Sequence, residues 1–476
     1  MLDLAYSILM IGLAVVLFYT CLTWNHSYWK KRGIAFEKPT PIFGNFNHPD
    51  EKVVGWFKLL KPAIIIRDPN LARRILVSDF HSFRNNDMEL DPDVDPVLGN
   101  NLFLLNDEKW KLTRALLTPA FTAGKIKAIY PTMGDVVLEL IKYLKRHPEE
   151  LHVKHTMARY TAEIAARCAL GIQGDNFKEP TAEMHEMGKT IFQSDTMNNL
   201  KFILFVVLPR ISKLLGLKMV SSKVYAFFNG ILRDVIVYRQ NNHEVRNDFV
   251  QFLLDIKKKS LDVANGVVKS ETHTKVYTDQ DVLAGCIMFF VESFETTSLL
   301  LTHILYFLAK HKHIQDKVRK EAEEALRTGE LTFEKLNELP YLNSVLLVCT
   351  ERFQMDIGKA KPIVIEKGTP TVIPIYAIQN DPAYWEDPKS FKPERFMKKE
   401  DVEAKSKGVY LPFGDGPRMC PGSRVAITII KLAVVHILTE MEVLTSSKTP
   451  KEIDYDPTYF LLSHKGGIHL KFAERN

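Results

Sequence analysis

Near the end of the chain a single cysteine, Cys420, stands in the stretch Phe413-Gly414-Asp415-Gly416-Pro417-Arg418-Met419-Cys420-Pro421-Gly422, and a helical run, Ser423–Thr439, follows directly. Glycines on both sides of the cysteine permit turns at positive φ and let the backbone approach a bulky planar ligand. A thiolate at the start of a helix gains from unpaired N–H groups and from the positive dipole end, which suits it to bind metal. Arg418, two residues before the sulfur, can reach an anionic ligand group, and Phe413 can shield the sulfur from water. One thiolate cannot complete a tetrahedral zinc site. It can serve as the axial ligand of haem iron, where its electron donation favours O–O cleavage. A lone cysteine is more often a buried structural residue, but the fixed spacing of six elements argues against that here.

A second candidate lies in the middle of a long apolar segment. Thr278-x-x-Asp281 has the form of a capping box, with Asp in place of the usual Glu or Gln, and no helix breaker follows until His311. Roughly thirty residues at 1.5 Å each make a helix of roughly 45 Å, enough to cross a domain. Both halves, Val282–Val291 and Leu299–Leu308, are apolar, and between them lie Glu292, Ser293, Glu295, Thr296 and Thr297. Carboxylates at such a place are costly unless paired, hydrated or functional. They argue against a membrane span, while an internal ion pair, a hydrated kink and a functional site all stay open.

The elements that must position these residues follow from the rest of the chain. Its 476 residues, 46% hydrophobic and 25% charged, describe a folded body rather than disorder or a polytopic membrane protein. A net charge of +6 suits an acidic partner or an anionic membrane surface and is small for a dedicated nucleic-acid binder, so no nucleic-acid partner is expected. Five scattered cysteines without a C-x-x-C pair indicate neither a disulfide framework nor a zinc site. Leu4–Leu22 is uncharged and apolar or weakly polar, long enough for one span. Trp24, Trp29, Lys30, Lys31 and Arg32 follow it, which predicts interfacial aromatics and a cytoplasmic body. A cleaved signal would carry its positive charge before the apolar run. The sequon Asn25-His26-Ser27 then falls on the cytoplasmic side and reads as chance.

Lys38-Pro39-Thr40-Pro41-Ile42-Phe43-Gly44 reads as a stiff hinge. The expected division is an anchor over 1–23, a basic, Pro-rich hinge over 24–45 and a catalytic domain over 46–476. Helical periodicity marks 108–118, 130–146, 157–170, 182–194, 222–241 and 247–258, and strands are expected at 63–66, 362–377 and 467–472. The charged stretch 256–275 reads as a solvated loop. The fold class is mainly α, with small β-sheets.

With these residues in view, the chain resembles the cytochrome P450 family. The signature F-x-x-G-x-R-x-C-x-G is matched by Phe413, Gly416, Arg418, Cys420 and Gly422, and W-x-x-x-R by Trp110 and Arg114. Phe391-Lys392-Pro393-Glu394-Arg395-Phe396 looks like the family's P-E-R-F meander, and Glu295-Thr296 resembles its acid–alcohol pair. The anchor and hinge make microsomal members the nearest likeness, in particular the insect and vertebrate group that oxidises foreign compounds and steroids. The resemblance implies haem b held by Cys420, with Trp110, Arg114 and Arg418 donating to its propionates and Phe413 packing by the sulfur. It implies that Thr296 steadies dioxygen while Glu295 feeds protons, and that NADPH-cytochrome P450 reductase supplies electrons. It also implies a lipophilic substrate (xenobiotic or insecticide, hormone, steroid or fatty-acid-like) and residence in the endoplasmic reticulum membrane.

The match has departures. In the family's A/G-G-x-E/D-T motif the glycine opens a groove for oxygen, and here Ser293 stands in its place, after Glu292. The E-x-x-R positions hold Val348 and Glu351, with Arg352 one step further, and helix neighbours point about 100° apart. The meander arginine, Arg395, then lacks its expected partner unless Glu351 substitutes. Gln379 replaces a common histidine, and the stretches before Ala63 and between Arg352 and Pro362 are short. Two functions follow: a membrane-anchored haem-thiolate monooxygenase, or a catalytically impaired relative that binds haem or a lipophile.

Overall fold

The computed structural model describes residues 25–36, 51–58, 61–88, 90–178, 182–193, 195–267, 276–349, 365–397, 408–459 and 461–475, with scattered positions between 12 and 23. The expected span Leu4–Leu22 lies largely outside them, and Glu351, Arg352 and the Pro-rich stretch Lys38–Gly44 lie wholly outside. Among the described residues there are six strands: β1 (Val53–Lys58), β2 (Lys61–Ile66), β3 (Leu151–His152), β4 (Thr371–Val372), β5 (Met441–Thr445) and β6 (His469–Glu474). The helices that matter here are α1 (Asp107–Leu117), α2 (Ala123–Arg146), α3 (Val153–Ile164), α4 (Glu183–Phe192), α5 (Ser222–Asn242), α6 (Phe249–Ala264), α7 (Asp279–Lys310), α8 (Lys312–Arg327), α9 (Pro340–Cys349) and α10 (Ser423–Glu440). The fold is mainly α with small sheets, as its sequence indicates. By packing it divides into two units, 1–87 with 350–419 and 88–349 with 420–476.

The first unit is built on the sheet β1-β2-β4. β1 and β2 pair antiparallel from Val53 opposite Ile66 to Lys58 opposite Lys61, and β2 pairs parallel with β4 at Ile64–Thr371 and Ile65–Val372. Trp29, expected at a membrane interface, is instead 2% exposed; its ring covers Gly55, where any side chain would collide with it, and its Nε1 donates to the Trp56 carbonyl at 2.8 Å. Burying the indole against the strand, with its one donor satisfied, makes Trp29 a core residue. The expected strand over 362–377 contracts, in its described part, to β4 and a short helix, Ile375–Ile378. Here Gln379 takes a structural role: its Oε1 accepts the buried Leu411 N–H at 2.9 Å.

The second unit centres on α7, which packs against α3 along much of its length and also meets α6, α9 and α10. Its N-terminus is closed by the capping box the sequence shows, with Thr278 Oγ1 accepting the Asp281 N–H and the Asp281 carboxylate accepting the Thr278 N–H. Among the described residues α7 alone is long and apolar enough to cross a membrane, but most of it is buried in protein. α10 is apolar on nearly every side, from Val425 to Leu438, because α2, α8 and α7 all pack on it. The second sheet runs β3-β6-β5, antiparallel throughout. The charged stretch expected as a loop from residue 256 is helical to Ala264: Val250 and Leu253 bury one face of α6, while Lys257, Lys258 and Lys259 occupy the turns beyond it.

Candidate active site

Cys420 lies two residues before Gly422, the N-cap of α10. Its thiol is accessible to solvent, whereas Cys168 and Cys286, the other free thiols among the described residues, are buried. Enclosure pushes the Cys420 thiol up, and Glu292 pushes it the same way; the N–H groups of Gly422 and Ser423 and the Arg114 guanidinium pull it down. A metal ligating this sulfur must therefore displace a proton, and the helix start and the arginine favour the thiolate that remains. Burial, with Asp248 adding to it and Arg167 opposing, lifts the Cys168 thiol to about 12, so that sulfur stays inert.

Four residues expected at the site, Trp110, Arg114, Glu295 and Thr296, share this unit with Cys420. Trp110 and Arg114 stand one turn apart on α1; the indole is buried, and Arg114 is close enough to feel the sulfur's charge. Desolvation lowers the Arg114 pKa and Cys420 raises it, as expected of a guanidinium kept for an anion. Across from the thiol, α7 presents Glu292 and Thr296, four residues apart on one face, with the Thr296 hydroxyl donating to the Glu292 carbonyl. Both side chains have accessible surface, yet the Glu292 carboxyl is ringed by protein. Both lie on an accessible face of α7, from which Glu292 acts on Cys420.

Glu295 points elsewhere. It is 2% exposed, and its Oε1 meets Lys154 Nζ of α3 at 2.6 Å and accepts the Tyr459 hydroxyl at 2.6 Å. Lys154 also donates to the Tyr459 oxygen at 2.9 Å. The acid and the alcohol expected to work together thus face different sides of α7, about 100° apart, one buried and one accessible. Ser293 turns its hydroxyl back onto the Phe290 carbonyl at 3.2 Å. Neither Lys154 nor Tyr459 carries a local sequence signal, whereas Glu292 was visible as a carboxylate in an apolar helix.

Phe413, Gly416 and Arg418 belong to the first unit. Gly416 has φ +69°, and a side chain there would run into the Leu76 carbonyl, so glycine is required. Asp415 caps the turn by accepting the Gly416 N–H at 2.7 Å, Phe413 is half-buried, and Arg418 Nε donates to the Arg84 carbonyl at 2.5 Å. In the meander, Arg395 donates to the carbonyls of Glu386, Asp387, Ser390 and Lys392 at 3.0–3.2 Å.

Among the described residues no group of three or more His, Cys, Asp or Glu side chains is placed to hold a metal ion. A metal reached by the Cys420 sulfur would have to bring its own equatorial ligands, as haem does, so the donor set fits a haem held by one thiolate. The family model described as Cytochrome P450 matches residues 26–347 and 352–472, breaking only at 348–351, where the Glu–Arg pair departs. Among curated proteins the chain is similar to "Probable cytochrome P450 28d1" of Drosophila melanogaster, 33% identical over 526 aligned residues covering 100% of both chains. It is similar also to "Cytochrome P450 6k1" of Blattella germanica, 28% identical over 98% of this chain and 97% of that one. With a matched family model over nearly its whole length and relatives aligned from end to end, the chain belongs to the cytochrome P450 family, monooxygenases that bind haem b through an axial cysteine thiolate and use dioxygen, a redox partner and a small-molecule substrate.

Proposed function

We propose that the protein is an active monooxygenase of the endoplasmic reticulum membrane, anchored by Leu4–Leu22 with its body on the cytoplasmic side. It takes electrons from NADPH-cytochrome P450 reductase and oxidises a lipophilic substrate such as a foreign compound, hormone, steroid or fatty-acid-like molecule. The observation that carries this reading is the accessible thiol of Cys420, set before α10 under the N–H groups of Gly422 and Ser423 and opposite the Glu292–Thr296 face of α7. When bound, haem supplies the iron at which dioxygen is reduced, so that one oxygen atom enters the substrate and the other leaves as water.

The chain's own residues do the rest. Cys420 gives up its proton and holds the iron; Trp110, Arg114 and Arg418 are the donors for the propionates, and Phe413 keeps water from the sulfur. Thr296 steadies oxygen from the accessible face of α7. Protons come from the α7 carboxylates, with Glu295 the acid expected from the family pattern, and their delivery must be controlled, because misdirected protons release peroxide.

A second reading, an impaired relative that binds haem or a lipophile, is favoured by the break in the family match at 348–351. The experiment is the reduced carbon-monoxide spectrum of the full chain supplied with haem, followed by reductase-dependent turnover. The active reading expects a thiolate-type spectrum that Cys420→Ser removes together with turnover. A thiolate spectrum without turnover on a panel of lipophiles favours the impaired relative, and no thiolate spectrum rejects the active reading and leaves only a relative that binds a lipophile.

A further inference from the structure

The sequence places two carboxylates near Thr296, and the structure separates them. Glu295 has its carboxylate in a buried pair with Lys154 and Tyr459 on the α3 side of the helix. Using it as a proton source would mean breaking an ion pair that 2% exposure leaves without water to replace it. Glu292 is the reverse case. It lies one turn before Thr296, whose hydroxyl donates to its carbonyl, on an accessible face of α7 and close enough to Cys420 to act on the thiol. Its neighbour is the neutral amide of Asn101, itself fixed by accepting the Phe103 N–H at 2.7 Å.

We propose that Glu292 is the carboxyl that hands protons to oxygen at this site, and that Glu295 is a positioning residue tying α7 to α3 and to Tyr459. The inference rests on the haem-thiolate reading and names a residue of that same site. Each turnover takes one dioxygen, two electrons from the flavoprotein reductase and two protons. One oxygen atom is inserted into a substrate C–H bond and the other leaves as water. Glu292 releases each proton from its carboxyl O–H and regains it from the bulk solvent, so the two protons consumed per turnover come from the medium.

The electrostatics support this placement. Enclosure lifts the Glu292 carboxyl to about 7, while the Asn101 amide pulls it down, which leaves the group able both to give and to regain a proton near neutral pH. Among the described residues, Cys420, before α10, is the titratable group that Glu292 acts on, and Arg114 of α1 acts on Cys420 in turn. Lys154 acts on Glu295, on the α3 side of the helix.

The test uses the full chain supplied with haem, in wild type and in Glu292→Gln, Glu292→Asp and Glu295→Gln. The first readout needs no turnover: infrared difference spectra across neutral pH should contain a protonated-carboxyl band that titrates, vanishes in Glu292→Gln and survives in Glu295→Gln. The second is the fate of electrons. Glu292→Gln should lower product formation about 10²-fold, the low end of a general-acid contribution, with the consumed oxygen appearing as peroxide, and Glu292→Asp should restore much of the loss. A band that survives Glu292→Gln, or an unchanged peroxide share in that variant, overturns the inference. So does loss of the thiolate carbon-monoxide spectrum in both Glu292 variants, which would make the residue a support for haem binding. If the wild type gives no such spectrum, the haem-thiolate reading itself falls; if the wild type gives it and Glu292→Gln behaves as wild type, only the inference does.

Discussion

Lys154 and Glu295 form an ion pair of 2.6 Å across the α3–α7 contact, and the carboxylate is 2% exposed. Removing one partner of a buried pair costs about 3–5 kcal/mol because the other charge is left unpaired, whereas removing both with apolar or neutral groups of similar size is often nearly neutral. Lys154→Met should therefore lower stability by about that amount, and the double change Lys154→Met with Glu295→Gln should recover most of it. Denaturant unfolding of the two single variants and the double variant measures the coupling; additive losses would show that the pair is not acting as a unit.

Tyr459 closes the same cluster by donating to Glu295 and accepting from Lys154. Tyr459→Phe keeps the ring over the lysine, at 4.2 Å from Nζ to its centroid, and removes only the hydroxyl. The expected loss is about 1–3 kcal/mol, that of a hydrogen bond to a charged group, read by the same unfolding experiment. A loss as large as that of Lys154→Met would mean that the hydroxyl, not the ion pair, holds the carboxylate.

The parts of this site that could be read from the sequence are those whose chemistry is local. The Cys420 loop and the α7 capping box are complete within ten and four residues, so residue type and spacing specify them without the fold. The Lys154–Glu295–Tyr459 cluster joins residues far apart in the chain and has no local signature. β1 escaped detection because Gly55 breaks its pattern, and only the fold shows that this glycine makes room for Trp29. β5 starts at Met441, directly after α10 ends at Glu440, with no turn residue between them to mark the change. Which of two nearby carboxylates stays accessible on the Cys420 side depends on the rotation of α7 against α3, and a contact sets that angle.

Arg395 shows how one long side chain can organise a loop. Its guanidinium donates to three carbonyls, of Glu386, Asp387 and Ser390, besides the nearby Lys392 carbonyl. The planar fork makes this possible, and a lysine ammonium cannot reach the same set. Arg395→Lys should cost about 1–2 kcal/mol and speed hydrogen exchange at the Ser390 N–H, which bonds the Asp387 carbonyl. Exchange as slow as in the wild type would show that the meander does not need the fork.

The imidazoles of His152, His155 and His185 make the second unit sensitive to acid. Burial pushes His152 down to about 3, with His155, His469 and Lys154 adding to the effect, and burial likewise lowers His155 and His185. A histidine whose folded pKa lies below its unfolded value of about 6.5 leaves the unfolded state to bind the proton first. Stability is therefore full above about pH 6.5 and falls as the pH drops toward the folded pKa. His152→Asn retains an N-cap for α3, where the His152 ring now accepts the His155 N–H at 3.4 Å, and removes one titration. Its acid-unfolding midpoint should move to lower pH; an unmoved midpoint would show that His152 does not control the transition.

Lys431 is the clearest case of a charge kept where an apolar side chain would be more stable. It is 3% exposed on α10, and its Nζ reaches only the Leu336 carbonyl and Asn337 Oδ1, both at 3.3 Å. Burial lowers its pKa to about 8 against the partial support of Glu321. With the folded pKa below the unfolded one, the unfolded state takes the proton first as the pH falls, so wild-type stability declines between about pH 10.4 and pH 8 and stays lower below that. Lys431→Met escapes this loss. At neutral pH the variant should be more stable by about 1–3 kcal/mol, and above about pH 10.4 the advantage should disappear, because both states of the wild type are then neutral there. An advantage that persists at high pH would trace the gain to packing of the methionine, and no advantage at neutral pH would mean that the two long hydrogen bonds and Glu321 already offset the burial of the charge.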